Sequence, residues 1–519
     1  MGSFQITYDD FSGGQYMGSK STNLPKNTWS GDNVISLSNG QLIPSGAATV
    51  SEIAQIDGTS LFTYIQDFFL VGQISYMFVS LDILATNKTR LISTPSVGDS
   101  LSTPKVSVVS SALPGKINGK VAYNPSDGVK PFYYIDNNLA GTIYSVSFLG
   151  ATTAISSVFA GMNLTDMALY NYRLILWGGY SKRLYYSDTL LAGWSTSNYY
   201  EFTGIILNVI PRSNDLLVIC ETGVYSVVGV FGSSITIQLI VPQENVSEGM
   251  KDATVVNRNA YFLDQLRNGY VDGHVYRMVG SSTSSIATMN LTDVNESQAT
   301  PGTIEAWRIS SLKDGKLAVA SKDGSVYVET DKNVWAKLRS ETGPSSVVKF
   351  EGRQHCVARS GPNAFNEFFL VAYVAENTQE ISILRFVHNV TKIVNKDEDF
   401  YGSTPSANAP SGVVTLSEYW HSKPFTVKEV FVEFYARLGY TPVLNVNIEP
   451  TGVIDLYSAE NGSSYISGGA PLVVGINNTY NAPITQRFRP DNASKGMGVK
   501  PGLNFSNVTI KRVILNCED

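Results

Sequence analysis

The sequence predicts an all-β protein: a β-propeller of about seven blades, with six as the fallback count, between an extended N-terminal arm and a C-terminal β-sandwich or jelly-roll-like domain. Three observations predict it. A hairpin-like unit recurs along the chain. Its spacing is that of propeller blades. Helical periodicity is nearly absent, while glycine is abundant at 44 of 519 residues, tyrosine reaches 28, and charged residues are only 16%. Short strands rich in Val, Ile, Thr and Tyr, joined by tight turns, have this make-up.

The chain opens on "FSGGQYMGSKSTNLPKNTWSGDNVISLSNGQLIPSG", Phe11 to Gly46. It holds glycine turns, a Leu-Pro step and one short hairpin-like pair split by Asn39-Gly40, a turn dipeptide. Residues 1–57 therefore read as an arm and hairpin with little core of their own.

Residues 58–395 carry the repeat. "PFYYIDNNLAGTIYSVS", "RLILWGGYSKRLYYSD", "LLVICETGVYSVVG", "AYFLDQLRNGYVDGHVYRMVG" and "KLAVASKDGSVYVET" each join an apolar strand through a Gly, Asn or Asp turn to a strand ending on a tyrosine. The tyrosines are Tyr144, Tyr185, Tyr225, Tyr276 and Tyr327, spaced by 41, 40, 51 and 51 residues. Related hairpins without the tyrosine register lie at Phe68–Ser80 and Phe368–Phe386. A period of roughly 40–50 residues with about four short strands marks a propeller. One such small sheet has two apolar faces and must pack between neighbours to bury both. The first apolar strand of each hairpin is expected near the axis. The tyrosines are expected farther out, wedged between blades as packing residues rather than ligand contacts.

Residues 396–412, within "NKDEDFYGSTPSANAPSG", read as a linker rich in Ser, Pro, Ala and Gly. Residues 413–519 return to alternating strands, among them "FTVKEVFVEFYARL", "LNVNIEP", "VIDLYS", "PLVVGI" and "NVTIKRVILN", and form the C-terminal sandwich domain.

The chemistry expected of an enzyme is missing from the motifs, and no catalytic, cofactor-binding or metal-binding residue is assigned. The four histidines, His274, His355, His388 and His421, fall in no metal-ligand spacing. His355 and Cys356 are adjacent, so on a strand they point to opposite faces. Asp397, Glu398 and Asp399 do not make an EF-hand loop and read as solvated linker. "SKDGSVY" at Ser321–Tyr327 resembles the start of a sialidase Asp-box but lacks its ending. No GxSxG, P-loop or GxGxxG motif occurs. Cys220, Cys356 and Cys517 are odd in number and far apart, which does not support a disulfide framework. The first residues have no signal-peptide pattern, and no run approaches the ~18 apolar residues of a membrane span. Sequons such as those at Asn87, Asn163, Asn290 and Asn507 reflect Asn/Ser/Thr-rich turns. The net charge is −6, which argues against base readout of nucleic acid. The most basic stretch, with Arg487, Arg489, Lys495 and Lys500, reads as a charged hairpin or docking loop.

Three blocks carry a family resemblance. The first is Phe11-Ser12-Gly13-Gly14, Leu24-Pro25-Lys26-Asn27, Asn33-Val34, and Asn39-Gly40 followed by Leu42 and Gly46. The second is "NYRLILWGGYSKRLYYSD" with Trp194 and Phe202–Gly204. The third is the closing "GLNFSNVTIKRVILNCED". Together with the propeller and terminal β-domain, they resemble the β-propeller tail hub or nozzle proteins of short-tailed bacteriophages. Members of that family are also described as head-tail or DNA stabilisation proteins, and related propellers serve as minor tail proteins. The resemblance implies a non-enzymatic virion structural protein without a cofactor, made in the host bacterial cytoplasm and placed in the virion tail. It implies a ring, a hexamer, below the tail adaptor. The ring would extend the DNA conduit and anchor distal parts such as fibres or spikes. Genomic DNA would pass through without sequence-specific binding, and an acidic lumen would not grip its phosphates. Two other readings stand beside it. One is a receptor-binding adhesin at the tail tip, with aromatic loops on glycans. The other is a propeller glycosidase, which needs carboxylates converging at the axis; the apolar first strands of the hairpins offer almost none.

Overall fold

In the computed structural model, the residues described are 2–16, 24, 26–36, 39–44, 47–53, 61–71, 74–83, 86–94, 109–137, 140–189, 192–242, 253–256, 259–265, 271–279, 282–288, 308–311, 316–320, 326–331, 334–338, 356–357, 368–374, 381–387, 412–436, 443–453, 464–466, 483–489, 495–506 and 508–519. Among them every regular element is a strand.

Five strands come first: β1 (Ser3–Tyr8), β2 (Trp29–Asp32), β3 (Val34–Ser36), β4 (Leu42–Pro44) and β5 (Ala47–Ile53). Four-stranded antiparallel sheets follow in chain order. The first holds β6 (Leu61–Val71), β7 (Ile74–Ile83), β8 (Thr86–Thr94) and β9 (Val109–Leu113). The second holds β10 (Ala122–Tyr123), β11 (Phe132–Ile135), β12 (Ile143–Val146) and β13 (Thr152–Ser156). The third holds β14 (Asp166–Tyr170), β15 (Arg173–Trp177), β16 (Arg183–Tyr186) and β17 (Tyr199–Glu201). The fourth holds β18 (Ile206–Pro211), β19 (Leu216–Cys220), β20 (Gly223–Val230) and β21 (Ser234–Pro242). The fifth holds β22 (Thr254–Val256), β23 (Asn259–Gln265), β24 (Val271–Val279) and β25 (Ser282–Thr288). The sixth holds β26 (Arg308–Ser311), β27 (Leu317–Ala320), β28 (Val326–Asp331) and β29 (Val334–Leu338). The last holds β30 (Cys356–Val357), β31 (Phe368–Val374) and β32 (Ile381–Val387), and β5 supplies its fourth strand by pairing Ala47–Ile53 against Phe386–Ile381. This is a β-propeller whose final sheet is closed by a strand from the start of the chain.

Apolar side chains fill the seams between successive sheets. Phe132, fully buried, meets the rings of Phe69, Tyr76, Phe78, Tyr123 and Phe148 between the first two sheets. Ile175, Trp177, Leu216 and Val218 meet between the third and fourth. Each fully buried large apolar side chain contributes roughly 1.5–3 kcal/mol. The repeat tyrosines lie on the third strand of their sheets. Tyr185 joins the seam between the second and third sheets, and Tyr225 packs at the edge of the next. That is the expected wedge. The side chain of Tyr276 lies outside the described residues.

The hairpin frame needs a correction. The apolar strand that opens each repeat, such as "LLVIC", is the second strand of its sheet, β19. The strands that approach one another from sheet to sheet are the ones before it: β10 beside β14, β14 beside β18, and β22 beside β26. The inner edge is therefore built from short segments such as "DMALY" and "ILNVIP", which carry polar residues. Their two-residue periodicity is too brief to stand out.

The remaining strands are β33 (Gly412–Leu416), β34 (Tyr419–Ala436), β35 (Val443–Val453), β36 (Ser464–Ile466), β37 (Ile484–Phe488), β38 (Lys495–Ser506) and β39 (Val508–Glu518). With β1 to β4 they form one eleven-stranded sheet. β34 pairs β38 through its first half and β39 through its second, with register shifts on the way. Such shifts bend a strand and let one sheet turn a corner. The C-terminal domain thus takes the form of a barrel-like sheet around one core that includes Trp29, Val432, Phe434, Leu503, Phe505 and Leu515. "PLVVGI", most of "VIDLYS" and linker positions 396–411 lie outside the described residues.

The open arm is corrected outright. β1 pairs β39 from Ser3↔Glu518 to Tyr8↔Val513, β2 pairs β33, and β4 meets β39. Ile6, Phe11, Trp29, Val34 and Ile43 are buried in the barrel core. Their partners lie some 400–500 residues away, so nothing local in the sequence announces them. Nor does the propeller begin at residue 58, since β5 already belongs to it. The glycine-rich opening is a locked corner. Phe11 N–H donates to Gly40 O, Gly13 N–H to Asn27 O, and Asn27 Nδ2 to Asp10 Oδ2. A Cβ on Gly31, whose φ is +155°, would sit 1.8 Å from Val413 O, so only glycine fits.

This corner also straps the barrel to the sixth sheet. Gln15 N–H donates to Trp335 O, Lys337 N–H donates to Gln15 Oε1, and Asn33 N–H donates to Lys337 O. The buried Lys337 ammonium lies 3.9 Å from Asp32 and 5.8 Å from the Tyr327 ring centroid. Ala318, Val328 and Ala336 of that sheet are part of the barrel's own core.

Candidate functional site

A constellation of polar side chains drawn from several sheets lies at the inner edge of the propeller. Asp67 on β6, Lys120 just before β10, Asp166 on β14 and Asn208 on β18 come together there. Asp67 Oδ2 accepts from Val121 N–H at 2.9 Å, and its Oδ1 accepts from Phe68 N–H at 2.9 Å. Asp166 Oδ1 accepts from Lys120 N–H at 3.0 Å and its Oδ2 from the Thr165 hydroxyl at 2.6 Å. Lys120 Nζ donates to Asn208 Oδ1 at 2.7 Å. That bond joins the second sheet to the fourth, past the third, which only the inner edge permits.

The electrostatics follow from this enclosure. Loss of hydration pushes the Asp67 carboxyl up to about 6; the amides of Val121 and Phe68 and the charge of Lys120 pull it down, and Asp166 pushes it up. Two carboxyl groups beside an ammonium are a set that acid–base chemistry can use. Here, however, each carboxylate accepts one bond from an adjoining sheet and one from its own sequence neighbour, and the ammonium donates to an amide oxygen. The arrangement ties sheets together. It also shows what the shifted hairpin frame concealed: the inner strands do carry carboxylates.

Elsewhere, polar groups likewise close turns. Asp136 Oδ1 accepts from Lys116 N–H at 2.8 Å, and Asp215 binds the Arg212 guanidinium and the Ser226 hydroxyl. The Tyr225 hydroxyl meets Thr203 Oγ1 at 2.8 Å. Burial pushes the thiols of Cys220 and Cys517 up to about 12, and both are free. His421 stacks on Phe4 at 4.6 Å. His355, His388, Asp397, Glu398 and Asp399 lie outside the described residues, as do the side chains of His274 and Cys356 and most of "SKDGSVY". No group of metal-ligating side chains occurs among the described residues.

Two tyrosines stand out from the surface. Asn171 and Tyr172 have φ of 45° and 58°, a two-residue turn between β14 and β15. Tyr180, on the β15–β16 turn, has φ of 63°. The two residues are 80% and 84% exposed, in a backbone region that bulky residues seldom adopt.

No family model matches the sequence, and no curated protein does. Among solved structures, the chain is similar to the WD40 domain of Neurospora crassa Pan2, with 10% identity and a TM-score of 0.42 over 66% of this chain and 95% of that one. It is similar to YCF48 bound to a D1 peptide, with 10% identity and a TM-score of 0.39 over 66% and 99%. It is also similar to the propeller domain of the Pyrococcus furiosus trilobed protease, with 10% identity and a TM-score of 0.35 over 64% and 98%. These are likenesses of fold. The class that the sheets themselves define is a β-propeller protein with an appended barrel-like β-domain.

Proposed function

We propose that the chain is a structural protein of a bacteriophage tail, a hub or nozzle subunit that extends the DNA conduit below the tail adaptor and anchors distal tail parts. All seven four-stranded sheets are taken as blades of one ring-shaped domain. The observation that carries the reading is the opening corner. Several residues behind the family resemblance, Phe11, Gly13, Gly14, Asn27 and Gly40, lock the opening corner, and Asn33 joins Gln15 in strapping it to the propeller. A part that must transmit load between a tail adaptor and distal fibres needs its two units joined stiffly. The enclosed polar groups, committed to internal bonds, accord with a scaffold rather than an enzyme.

In this reading the chain is a monomer in isolation, and six copies assemble only on the head-to-tail vertex. Averaged images of particles labelled for this protein test it. A six-fold ring of density below the adaptor is the expected result; three copies or fewer at a tail tip would overturn it. That outcome would favour a receptor-binding adhesin, which the exposed Tyr172 and Tyr180 support as second reading, because aromatic rings on exposed turns suit sugar faces.

A further inference from the structure

Two Asn-Gly steps lie among the described residues: Asn39-Gly40, in the turn between β3 and β4, and Asn118-Gly119, just before β10. Glycine after asparagine leaves the next backbone nitrogen with no Cβ beside it. That nitrogen can reach the side-chain carbonyl carbon of the asparagine and close a five-membered ring. The ring closes through a tetrahedral intermediate whose negative charge sits on Oδ1. A backbone N–H already on that oxygen favours the step, as does any donor aimed at a developing oxyanion.

The two steps differ in this donor. Asn39 is exposed, and its Oδ1 accepts from Gln41 N–H, two residues on, at 3.2 Å. The equivalent donor at the second step is Lys120 N–H, and it donates instead to Asp166 Oδ1 at 3.0 Å. Gly119 is also pressed onto the third sheet, where a Cβ would stand 2.4 Å from Thr165 O. Asn118 itself is half-buried.

We propose that Asn39 is a site of spontaneous modification, converted in the folded chain to aspartate and isoaspartate. Gly40 N gives up its proton to base and attacks Asn39 Cγ. The new N–Cγ bond forms, the Cγ–Nδ2 bond breaks, and ammonia leaves with a proton from solvent. Water then opens the ring at either carbonyl. The sequence of steps needs no oxidant and no second protein. Its place is the locked corner: Gly40 O accepts from Phe11 N–H, and a Cβ on Gly40 would stand 3.0 Å from Asp10 Oδ1. Isoaspartate adds a methylene to the main chain of this turn and a negative charge near that of Asp10. The bond to Phe11 is then lost, and the corner loosens as the protein ages.

The test is incubation of the full chain in mildly alkaline buffer, with and without denaturant, followed by peptide mapping that separates asparagine, aspartate and isoaspartate. In the folded chain Asn39 should convert about tenfold or more faster than Asn118, a conservative share of what one oxyanion donor contributes. In denaturant, where neither turn persists, the two rates should agree. Hydrogen exchange should show the Phe11 amide losing protection in step with conversion. Asn39→Gln, whose longer side chain would have to close a larger ring, should keep that protection. Equal rates at the two sites in the folded chain, or an Asn39 that converts only in denaturant, would overturn the inference. So would loss of Phe11 protection at the same pace in Asn39→Gln.

Discussion

Replacing Trp29 with alanine should unfold the barrel at conditions where the natural chain is stable. Trp29 is fully buried in the barrel core, on β2, opposite Leu416. Its indole N–H donates to the Ser36 hydroxyl at 2.7 Å. Truncating a buried aromatic costs about 3–5 kcal/mol. Leaving the nearly buried Ser36 oxygen without its donor adds about 1 kcal/mol. The total, about 4–6 kcal/mol, is a large share of the ~5–15 kcal/mol that holds a domain together. Denaturant unfolding followed by near-ultraviolet circular dichroism should show the barrel transition moved to much lower denaturant, and Trp29→Phe should restore more than half of the loss. Because Ala318, Val328 and Ala336 belong to the same core, the sixth sheet should lose protection with the barrel in hydrogen exchange. A loss below about 1 kcal/mol would refute the reasoning, since a tryptophan on an open arm would behave that way.

Other expectations follow from the same geometry. The Asp67 carboxyl, raised to about 6 in the folded chain from 3.8, favours the protonated folded state. Stability from this group is fully present below pH 3.8 and lost as pH rises through 6, by about 3 kcal/mol. Asp67→Asn should flatten that part of the stability–pH curve, and an unchanged curve would count against the enclosure of Asp67. Tyr185→Ala, in a buried seam, should cost about 3–4 kcal/mol, and Tyr225→Ala, at a seam edge, noticeably less. Equal melting points for the two variants would contradict the seam assignment. Cys220 and Cys517 should resist a thiol reagent at pH 8 in the folded chain and react at once in denaturant, because burial holds both thiols up near 12.

The propeller was legible because its signal is local and repeated. Each second-to-third-strand hairpin carries its own turn and its own tyrosine, so five copies reinforce one another along the chain. The inner strands were not legible, because "DMALY" and "TVV" are too short and too mixed to show a period. The axial cluster went unseen with them. Asp67 lies in a strand read only as apolar, and Lys120 precedes a two-residue strand. The opening corner was misread for a different reason. "SFQITY" has ordinary strand composition while "WSGD" has that of a turn, and the partners of both, β39 and β33, lie hundreds of residues on. A single sequence gives turn chemistry at Asn39-Gly40 and nothing about which distant edge is to be covered.

The pairing of β5 with β32 and of β1 with β39 has a consequence for the order in which the chain can fold. The strands that finish both units are made well before the edges they finish. At a synthesis rate of about 5–20 residues per second, the gap of some 330 residues between Ile53 and Ile381 keeps β5 waiting for roughly 15–70 seconds. During that wait the middle sheets can stack on one another, since their contacts are near neighbours, but neither the ring nor the barrel can shut. Closure is then a late step of high sequence separation, slow for entropic reasons. Until it happens, the edge of β32 lies open and available to the wrong partner.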